Sequence, residues 1–410
     1  MRLAFIDLEF SWPPPGGAQI NLQHDMAELQ RMGHEVHLFA PLARETWRFR
    51  DIDEAALPFA VTSITLASKP FDKAELVPKM KAAVDAFRPD VVVLAFGFYM
   101  KAHLAAALAH YPLISRYYTY EMMCIRDFML FRDGDRCPKD FLSTPNACRR
   151  CFMRFWGPGF SSEGTGGFCD EFLANGGLRP AFHRFWVEHL RKLDAIVVYN
   201  DILRERLEPF NKNIHVVSGG VDVAAFQYTP APAKARDEKK IIFMSGRADD
   251  YLKGFHTLTF ACDALAEQRD DFEVWVTLAE PPNPRPYVRY LGWRNQAEIR
   301  RFYQESDICV VPSIWDEPFG LVAVEAMASG RPVCASRVGG LQSIVLDGET
   351  GFLFTRDNRF ELAHCLGLML DDGTMRRAMG DAGRRRVEEF YDWPRVVERY
   401  YPPLLESVLR

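Results

Sequence analysis

One stretch in the second half of the chain, residues 307–336, restricts the possible folds more than any other. It opens with a short apolar run, Asp307–Pro312, which has the length of a buried parallel strand. Pro318 suits the first position of a helix, and Gly330 stands where a left-handed helix stop is expected. The pattern therefore predicts a strand, a loop, a helix over 318–329 and a second strand at the end of the stretch. Such a unit is typical of an α/β fold with parallel strands.

Two carboxylates, Glu317 and Glu325, stand in this stretch. Glu317 is predicted at the mouth of the helix, where free backbone N–H groups and the helix dipole favour an anion. Glu325 follows Leu321 and Val322 by one turn on an otherwise apolar helix, and burying an unpaired carboxylate is costly. We therefore expect Glu325 to have a hydrogen-bonding partner. Taken singly, both side chains also fit a plainer interpretation, with Glu317 an exposed helix cap and Glu325 the partner of a structural arginine.

The arrangement as a whole is more specific than either carboxylate. Pro-Phe-Gly lies between the two glutamates, and Ala-Met-Ala-Ser-Gly follows the second. This pattern resembles the E-x7-E element of retaining glycosyltransferases in the large bacterial family called glycosyltransferase group 1, family four. The resemblance implies the GT-B fold, an α/β architecture in which two Rossmann-like domains face each other across a cleft. It implies an N-terminal acceptor-side domain over 1–210, a C-terminal nucleotide-sugar-binding domain over 211–392, and a last helix, 393–410, that crosses back onto the first domain.

Composition narrows the classes of function. At 410 residues the chain exceeds the size at which a single core keeps growing, so two domains are expected. A net charge of -5 argues against a nucleic-acid partner bound through general basicity. Asp7 and Glu9 interrupt what would be the apolar part of a signal peptide, and no apolar run reaches the roughly 20 residues of a membrane helix. Nine cysteines, an odd number, suit a reducing compartment, so we expect a cytoplasmic protein.

The N-terminus carries a similar strand–loop–helix pattern. Leu3–Leu8 indicates a buried strand, and a diglycine, Gly16 and Gly17, precedes an amphipathic helix over 18–32. Glycine lets backbone N–H groups approach a phosphate closely, although a plain tight turn also explains two adjacent glycines. The resemblance implies that this loop faces the diphosphate and the sugar of the donor.

The strand predicted over 111–117 ends without the residue that relatives place near the sugar. In the family this strand usually ends in a histidine, whereas here the sequence continues Tyr-Tyr-Thr-Tyr-Glu over 117–121. A tyrosine hydroxyl or a carboxylate could occupy the same space. Tyr118, Tyr120 and Glu121 are therefore the candidates for the acceptor side of the site, which the resemblance assigns to the N-terminal domain.

Residues 124–192 match the family least and contain five of the nine cysteines. Cys148 and Cys151 have the C-x-x-C separation of a zinc knuckle, and Cys137 and Cys169 are the candidates that would complete a structural zinc site. The outer spacings match no standard zinc finger. Free thiols without a metal are the alternative.

Two segments in the same region, 152–156 and 182–186, alternate aromatic and basic residues. They fit the lining of an acceptor cleft or a peripheral contact with the inner face of a membrane. They also fit ordinary core helices whose arginines extend their charged ends to water.

Two cations precede the carboxylate stretch in the second domain. Residues 240–247 predict a strand with Arg247 at its end, and Lys253 stands before a helix that begins near Gly254. An arginine fork and a lysine point charge at this spacing can converge on a diphosphate, although basic residues are more often solvated surface charges. The Gly-Arg…Lys-Gly pattern resembles the family's diphosphate-binding pair.

The resemblance implies a retaining, metal-independent hexosyltransferase that moves a sugar from a UDP- or GDP-sugar to a glycan, a lipid-linked or a small-molecule acceptor, with no cofactor. Glu317, Arg247 and Lys253 would be the catalytic residues, with Glu317 beside the sugar and the two cations at the diphosphate. The implied donor-binding residues are Gly16, Gly17, Arg247, Lys253, Phe319, Gly320, Leu321 and Glu325, the last on the ribose. A nucleotide-sugar-binding scaffold without turnover and a nucleotide-sugar epimerase are the alternatives. The identities of sugar, base and acceptor, and the oligomeric state, have no signature in the sequence.

Overall fold

The computed structural model describes residues 1–14, 16–43, 52–67, 72–126, 129–155, 168–230 and 238–409. The chain divides into two compact units. The first unit comprises Met1–Ser218 together with Val397–Arg410, and the second comprises Gly219–Val396. The sequence had suggested a division between residues 210 and 211.

The first unit is built on a parallel sheet. Its strands in the described ranges are β1 (Arg2–Ile6), β2 (Glu35–Ala43), β3 (Ala60–Leu66), β4 (Val91–Leu94), β5 (Leu113–Arg116), β6 (Phe131–Arg132), β7 (Asp135–Arg136), β8 (Ala195–Val198) and β9 (Ile214–Val216). Strands β6 and β7 form a separate antiparallel hairpin, and the other seven form one sheet in the order β3-β2-β1-β4-β5-β8-β9. The central strands are continuous apolar runs, as in β4 with its sequence Val-Val-Val-Leu, because helices cover both faces of such a sheet.

Helices connect these strands. In the described part of the first unit they are α1 (Gly17–Arg31), α2 (Lys73–Phe87), α3 (Lys101–Ala107), α4 (Pro145–Phe155), α5 (Phe168–Ala174), α6 (Pro180–Lys192) and α7 (Asp201–Leu207). Asp72 caps α2 and Asn200 caps α7, each accepting a hydrogen bond from a backbone N–H of the first turn. Helices α4 to α6 lie between β5 and β8, in the region that matches the family pattern least.

The second unit contains a second parallel sheet. Its described strands are β10 (Lys240–Met244), β11 (Phe272–Val276), β12 (Val288–Tyr290), β13 (Ile308–Val311), β14 (Val333–Ser336) and β15 (Gly351–Phe354), in the order β12-β11-β10-β13-β14-β15. Its described helices are α8 (Phe255–Ala266), α9 (Gln296–Glu305), α10 (Leu321–Ala328), α11 (Leu341–Ile344), α12 (Arg359–Asp371) and α13 (Gly373–Phe390). The strand order reverses between β10 and β13, and the loops that follow two such strands form the usual ligand site of an open α/β sheet.

The last helix, α14 (Trp393–Val408), runs from the second unit into the first. Arg116, at the end of β5, donates a hydrogen bond to the Tyr401 hydroxyl at 3.1 Å, and Asn213 donates one to Ser407 at 3.1 Å. Residues from Val397 onward therefore pack on the first sheet. Two parallel sheets, each surrounded by helices, confirm the predicted α/β fold of two Rossmann-like units.

Candidate active site

The residues singled out in the second unit lie at the carboxyl edge of its sheet. Strands β10 and β13 are parallel neighbours, with Phe243 paired to Cys309. Arg247 follows the end of β10, and the loop that carries Glu317 follows the end of β13. Both loops therefore leave the sheet at the same edge, which is where open α/β sheets bind ligands.

Lys253 and Glu317 form an ion pair at this edge. The Lys253 Nζ lies 2.6 Å from Oε1 of Glu317. The same oxygen accepts hydrogen bonds from the Ser313 hydroxyl at 2.7 Å and from the Trp315 indole N–H at 3.1 Å. The side chains of Lys253 and Glu317 keep 27% and 12% of their surface exposed, so a ligand can reach the pair. Glu317 is therefore a fixed acceptor and not a freely solvated helix cap.

The turn that contains Lys253 and Gly254 packs closely against the chain just after β13. Gly254 has φ +76°, and a Cβ at this position would lie 1.9 Å from the carbonyl oxygen of Pro312. The Ile314 N–H donates to the Leu252 carbonyl at 2.9 Å. Only glycine combines this backbone conformation with so close an approach, so the Lys-Gly dipeptide brings the ammonium to the Glu317 loop.

A second set of contacts holds the loop from its other side. The Asp316 carboxylate, which is buried, accepts from Arg356 Nη2 at 2.8 Å and from the Gly339 N–H at 3.2 Å. The Gly340 N–H donates to the Glu317 carbonyl at 2.7 Å. A Cβ at Gly339 would lie 2.1 Å from that same carbonyl oxygen. The diglycine at 339–340 therefore serves as the support on which the Glu317 backbone rests.

The helix of the carboxylate stretch begins later than its sequence predicted. Helix α10 starts at Leu321, not at Pro318, because Gly320 has φ +120° and the Glu317 carbonyl is bonded to Gly340. Glu317 therefore precedes the helix in an irregular loop, and Phe319 packs on the Tyr391 ring with centroids 5.9 Å apart.

The end of this helix agrees with its sequence. Gly330 has φ +74°, the left-handed conformation expected of a helix stop.

Arg247 is exposed. No residue in the described ranges forms a hydrogen bond or an ion pair with its guanidinium. Arg247 lies in the loop after β10, directly after Gly246, whose φ is +95°. Its fork is thus available to an anion at the edge that also carries Lys253.

Glu325 is buried in α10, with 7% of its surface exposed. Its Oε2 accepts a hydrogen bond from the Tyr303 hydroxyl at 3.1 Å, so the expected hydrogen-bonding partner is confirmed. Burial raises the pKa of Glu325 to about 7, while the Tyr303 hydrogen bond and the charge of Arg300 act in the opposite direction. No ion pair to a described arginine neutralises it.

In the first unit, Gly17 opens α1 and Gly16 precedes it in extended backbone with φ -165°. Any residue adopts that conformation, and a Cβ at Gly16 would make only an ordinary contact, 3.8 Å from Gln19. The backbone geometry therefore does not require glycine at position 16. A role in donor binding remains a prediction for both residues.

The three acceptor-side candidates are buried. Tyr118, Tyr120 and Glu121 are each at most 2% exposed. Glu121 lies 3.2 Å from the Lys101 ammonium and accepts a hydrogen bond from the Tyr118 N–H at 3.3 Å. Burial raises the pKa of Glu121, and the charge of Lys101 opposes that rise. These contacts occupy Glu121 inside the unit, and its role towards an acceptor remains a prediction.

Four cysteines of the unusual region meet around one small cavity of about 60 Å³, which is lined by Cys124, Cys137, Cys148 and Cys151 among other residues. Cys169 is elsewhere, with its thiol 3.5 Å from the carbonyl of Arg126. In the part of the chain that the structure describes, no disulfide joins the cysteines, and no three His, Cys, Asp or Glu side chains are placed to hold a metal ion. The structure therefore gives the zinc hypothesis no support.

The two aromatic–basic segments divide between core and surface. Phe152, Phe182 and Trp186 are buried, whereas Met153 and Arg154 are exposed. Residue 156 lies outside the described ranges. Across those ranges every helix is too short or too polar to span a bilayer. A peripheral membrane contact remains a prediction.

Several residues that shape the site had no sequence signal. Trp315 and Ser313 lie within the carboxylate stretch, but their contacts with Glu317 depend on the fold of the loop. Tyr303 is one tyrosine in an amphipathic helix, and only the packed structure aims its hydroxyl at Glu325. Asp316 is a further example, because its partner Arg356 is far away in sequence.

Comparisons with known proteins agree with this architecture. The MMP alpha-(1->4)-mannosyltransferase of Mycolicibacterium hassiacum is 36% identical over 196 residues, which cover 45% of this chain and 46% of that protein. The D-inositol 3-phosphate glycosyltransferase of Corynebacterium urealyticum is 30% identical over 238 residues, covering 50% and 55%. The chain thus spans about half the length of the curated relatives it matches.

Solved structures resemble the chain over almost its whole length. Sucrose-phosphate synthase from Thermosynechococcus elongatus superposes with a TM-score of 0.64 and 20% identity, covering 97% of this chain and 96% of the other. HepE of Anabaena, solved in complex with UDP, gives 0.66 and 19%, covering 99% and 100%. At such identities the likeness shows the fold alone.

Two family models match the sequence. The model described as glycosyl transferases group 1 matches residues 229–386, in the second unit. The model described as glycosyl transferase 4-like domain matches residues 16–220, which is half of the chain. The chain therefore belongs to the glycosyl transferase 4-like family.

Proposed function

We propose that this protein transfers a sugar from a nucleotide-diphosphate-sugar to an acceptor, with retention of configuration at the anomeric carbon. The observation that carries the proposal is the carboxyl edge of the second sheet. There the accessible Lys253–Glu317 pair shares an edge with the exposed Arg247, whose guanidinium has no partner among the described residues. Two cations with spare hydrogen-bond donors beside a fixed carboxylate suit a ligand that joins a diphosphate to a polyhydroxylated ring.

The cations act on the leaving group. Breaking the bond between sugar and diphosphate places negative charge on the diphosphate oxygens. Arg247 supplies a planar fork and Lys253 a point charge, and both stabilise this developing charge electrostatically. The charge compensation is supplied by side chains of the chain itself, which is why we propose a metal-independent reaction.

The carboxylates act on the two ends of the donor. Glu317, whose Oε1 is held by Ser313 and Trp315, is assigned to the sugar, where it binds hydroxyl groups or supports positive charge on the ring. Glu325 is assigned to the hydroxyl groups of the ribose. The backbone over 319–321 completes the donor site at the start of α10. The assignments of these residues rest on the family resemblance and on their common position at one edge of the sheet.

Proteins similar to the chain guide the choice of donor and acceptor. HepE of Anabaena has been solved with UDP and with UDP-glucose, and the curated relatives include a mannosyltransferase and inositol-phosphate glycosyltransferases. We therefore propose a UDP- or GDP-hexose as donor. A glycan, a lipid-linked sugar and a small polyol remain the acceptor classes.

Incubation of the purified protein with a panel of UDP- and GDP-hexoses tests this function. Slow release of nucleoside diphosphate from one donor, and a new glycoside when an acceptor is added, support sugar transfer. An isomerised sugar nucleotide would instead identify an epimerase, and saturable binding without any turnover would identify a scaffold. NMR of the glycosidic linkage reports retention, and the same reaction in EDTA reports whether a metal is needed.

A further inference from the structure

A chain of three side chains links the end of β10 to Glu325. The Ser245 hydroxyl lies 2.6 Å from the Tyr303 hydroxyl, which in turn donates to Glu325 Oε2 at 3.1 Å. The Val322 carbonyl is a second acceptor within reach of the Tyr303 hydroxyl, at 3.3 Å. A phenol has one proton, so when Tyr303 donates it to the closer Glu325 oxygen, Ser245 is the donor to Tyr303. Ser245 lies two residues before Arg247 and 9% of its surface is exposed, so the chain begins beside the proposed diphosphate site.

The Tyr303 hydroxyl is held rigidly. Tyr303 is completely buried, and its ring packs against those of Phe243 and Phe226, with centroids 5.2 and 6.3 Å away. Its position is therefore set by the core of the second unit. A rigid donor on a buried carboxylate fixes both the rotamer and the ionisation of that carboxylate.

The two oxygens of Glu325 differ in their surroundings. Oε2 faces Tyr303, whereas Oε1 has no hydrogen-bond partner among the residues that the structure describes. Oε1 is not one of the fully buried polar atoms, and Glu325 keeps 7% of its surface exposed, so a ligand can reach this oxygen. The hydroxyl groups of a ribose are donors of the required kind.

We propose that Tyr303, anchored by Ser245, is a positioning residue that holds Glu325 ionised and aims its second oxygen at the ribose of the nucleotide. The proposal rests on the proposed function, because it assumes that Glu325 binds the nucleotide. It adds that the affinity for nucleotide depends on a phenol that does not itself touch the ligand.

The neighbouring charges are compatible with this role. Arg300 of α9 is the cation whose charge reaches Glu325. Arg384 of α13, which also packs against α10, binds the carbonyl of Ala328 instead. On β13, burial raises the pKa of the Cys309 thiol to about 12, so that group stays neutral. With a Glu325 pKa of about 7, loss of the Tyr303 hydrogen bond moves that pKa upward and neutralises the carboxylate at neutral pH.

The test is the pH dependence of UDP and GDP affinity, measured by calorimetry from about pH 6 to about pH 9. Tyr303→Phe keeps the buried ring and removes only the hydroxyl. We expect affinity for the preferred nucleotide to fall about five-fold near neutral pH, the value of one hydrogen bond, and to return to within about two-fold of the unsubstituted protein at the alkaline end. Ser245→Ala should shift the profile in the same direction by a smaller amount.

Two further variants make the result decisive. Tyr287→Phe removes a phenol that is hydrogen-bonded to another carboxylate, Asp263, and should leave the profile unchanged. Glu325→Gln cannot ionise at this position. The pH dependence of affinity that this variant retains is therefore the baseline that comes from titration of the nucleotide itself.

A Tyr303→Phe profile identical to that of the unsubstituted protein, or an equal loss at every pH, overturns the positioning role. If Glu325→Gln itself binds like the unsubstituted protein at every pH, the ribose assignment fails instead. The two failures are therefore distinguishable.

Discussion

Each unit of this protein has a lysine–glutamate pair beyond the carboxyl ends of its strands, and the two pairs differ in burial. In the first unit the Lys101 ammonium lies 3.2 Å from Glu121, and the side chains are 1% and 0% exposed. In the second unit the Lys253 ammonium lies 2.6 Å from Glu317, with 27% and 12% exposed. The residue types are the same, but only the second pair is open to a ligand.

The partners of the two lysines explain the difference. Lys101 also donates to the Arg116 carbonyl at 2.6 Å and lies over the Tyr117 ring, 4.1 Å from its centroid, so its donors are directed inside the unit. The Lys253 ammonium pairs with Glu317 and lies over the Trp315 ring, 5.2 Å from its centroid, and part of the side chain faces water. A closed pair has its charges compensated inside the fold, whereas an open pair can exchange its partner for a substrate. Burial, which the residue types do not reveal, decides between the two roles.

The largest expected effect is on the closed pair. Lys101→Ala leaves the buried Glu121 carboxylate without its counter-ion, which should lower the free energy of unfolding by about 3–5 kcal/mol in urea titrations. Lys192→Ala is the matched control, because it breaks an exposed pair with Glu188 in the same unit and should leave the urea midpoint unchanged. A stable Lys101→Ala protein that has lost only turnover would assign this pair to the active site instead.

A pH titration tests Glu325, a carboxylate that is buried like Glu121 but forms no ion pair with a described residue. The pKa of Glu325 is raised by burial from 4.5 to about 7, so the folded protein binds that proton more tightly than the unfolded chain. Its contribution to stability is therefore greatest at low pH and is lost as pH rises through about 7, by about 3 kcal/mol in total. We expect unfolding in urea at about pH 5 and about pH 8 to show this loss in the unsubstituted protein and not in Glu325→Gln. The same pH dependence in both proteins would contradict it.

A smaller effect concerns the support of the open pair. Gly339→Ala places a methyl group against the Glu317 carbonyl, and we expect turnover to fall about ten-fold because the carboxylate is displaced. Gly348→Ala is the control, because it introduces the same kind of backbone strain without a new contact. Gly348 has φ +79°, and no atom lies within 4 Å of its Cβ position. That control should lose about 1 kcal/mol of stability and no turnover per folded molecule. Equal turnover in the two variants would show that the 339–340 support does not position Glu317.

The fold was predictable because its signals are local. Apolar runs, glycine turns and helix periodicity identify the strands and helices of both units. The sequence of 307–336 predicted β13, α10 and β14. The predicted start of α10 was wrong by three residues. The Glu317 carbonyl accepts a hydrogen bond from the N–H of Gly340, which is far from Glu317 in the sequence. Such a tertiary hydrogen bond leaves no local signature.

The site was predictable only in part, for a similar reason. The sequence predicted that Lys253 and Glu317 lie at one edge of the sheet, because each follows one of two neighbouring parallel strands. It also nominated Glu121, but it could not reveal that Lys101 would bury and neutralise that carboxylate. Nor could it single out Tyr303, whose hydroxyl matters only because of where the core places its ring.

The central claim is that the open pair serves the chemistry of a nucleotide sugar. The most direct test is the turnover of Lys253→Ala with the preferred donor, beside Arg301→Ala, which removes an exposed positive charge from α9. If Lys253 stabilises charge that forms as the diphosphate leaves, kcat should fall by about 10²-fold or more while the protein stays folded, and Arg301→Ala should keep full turnover. Near-normal turnover by Lys253→Ala would contradict the account.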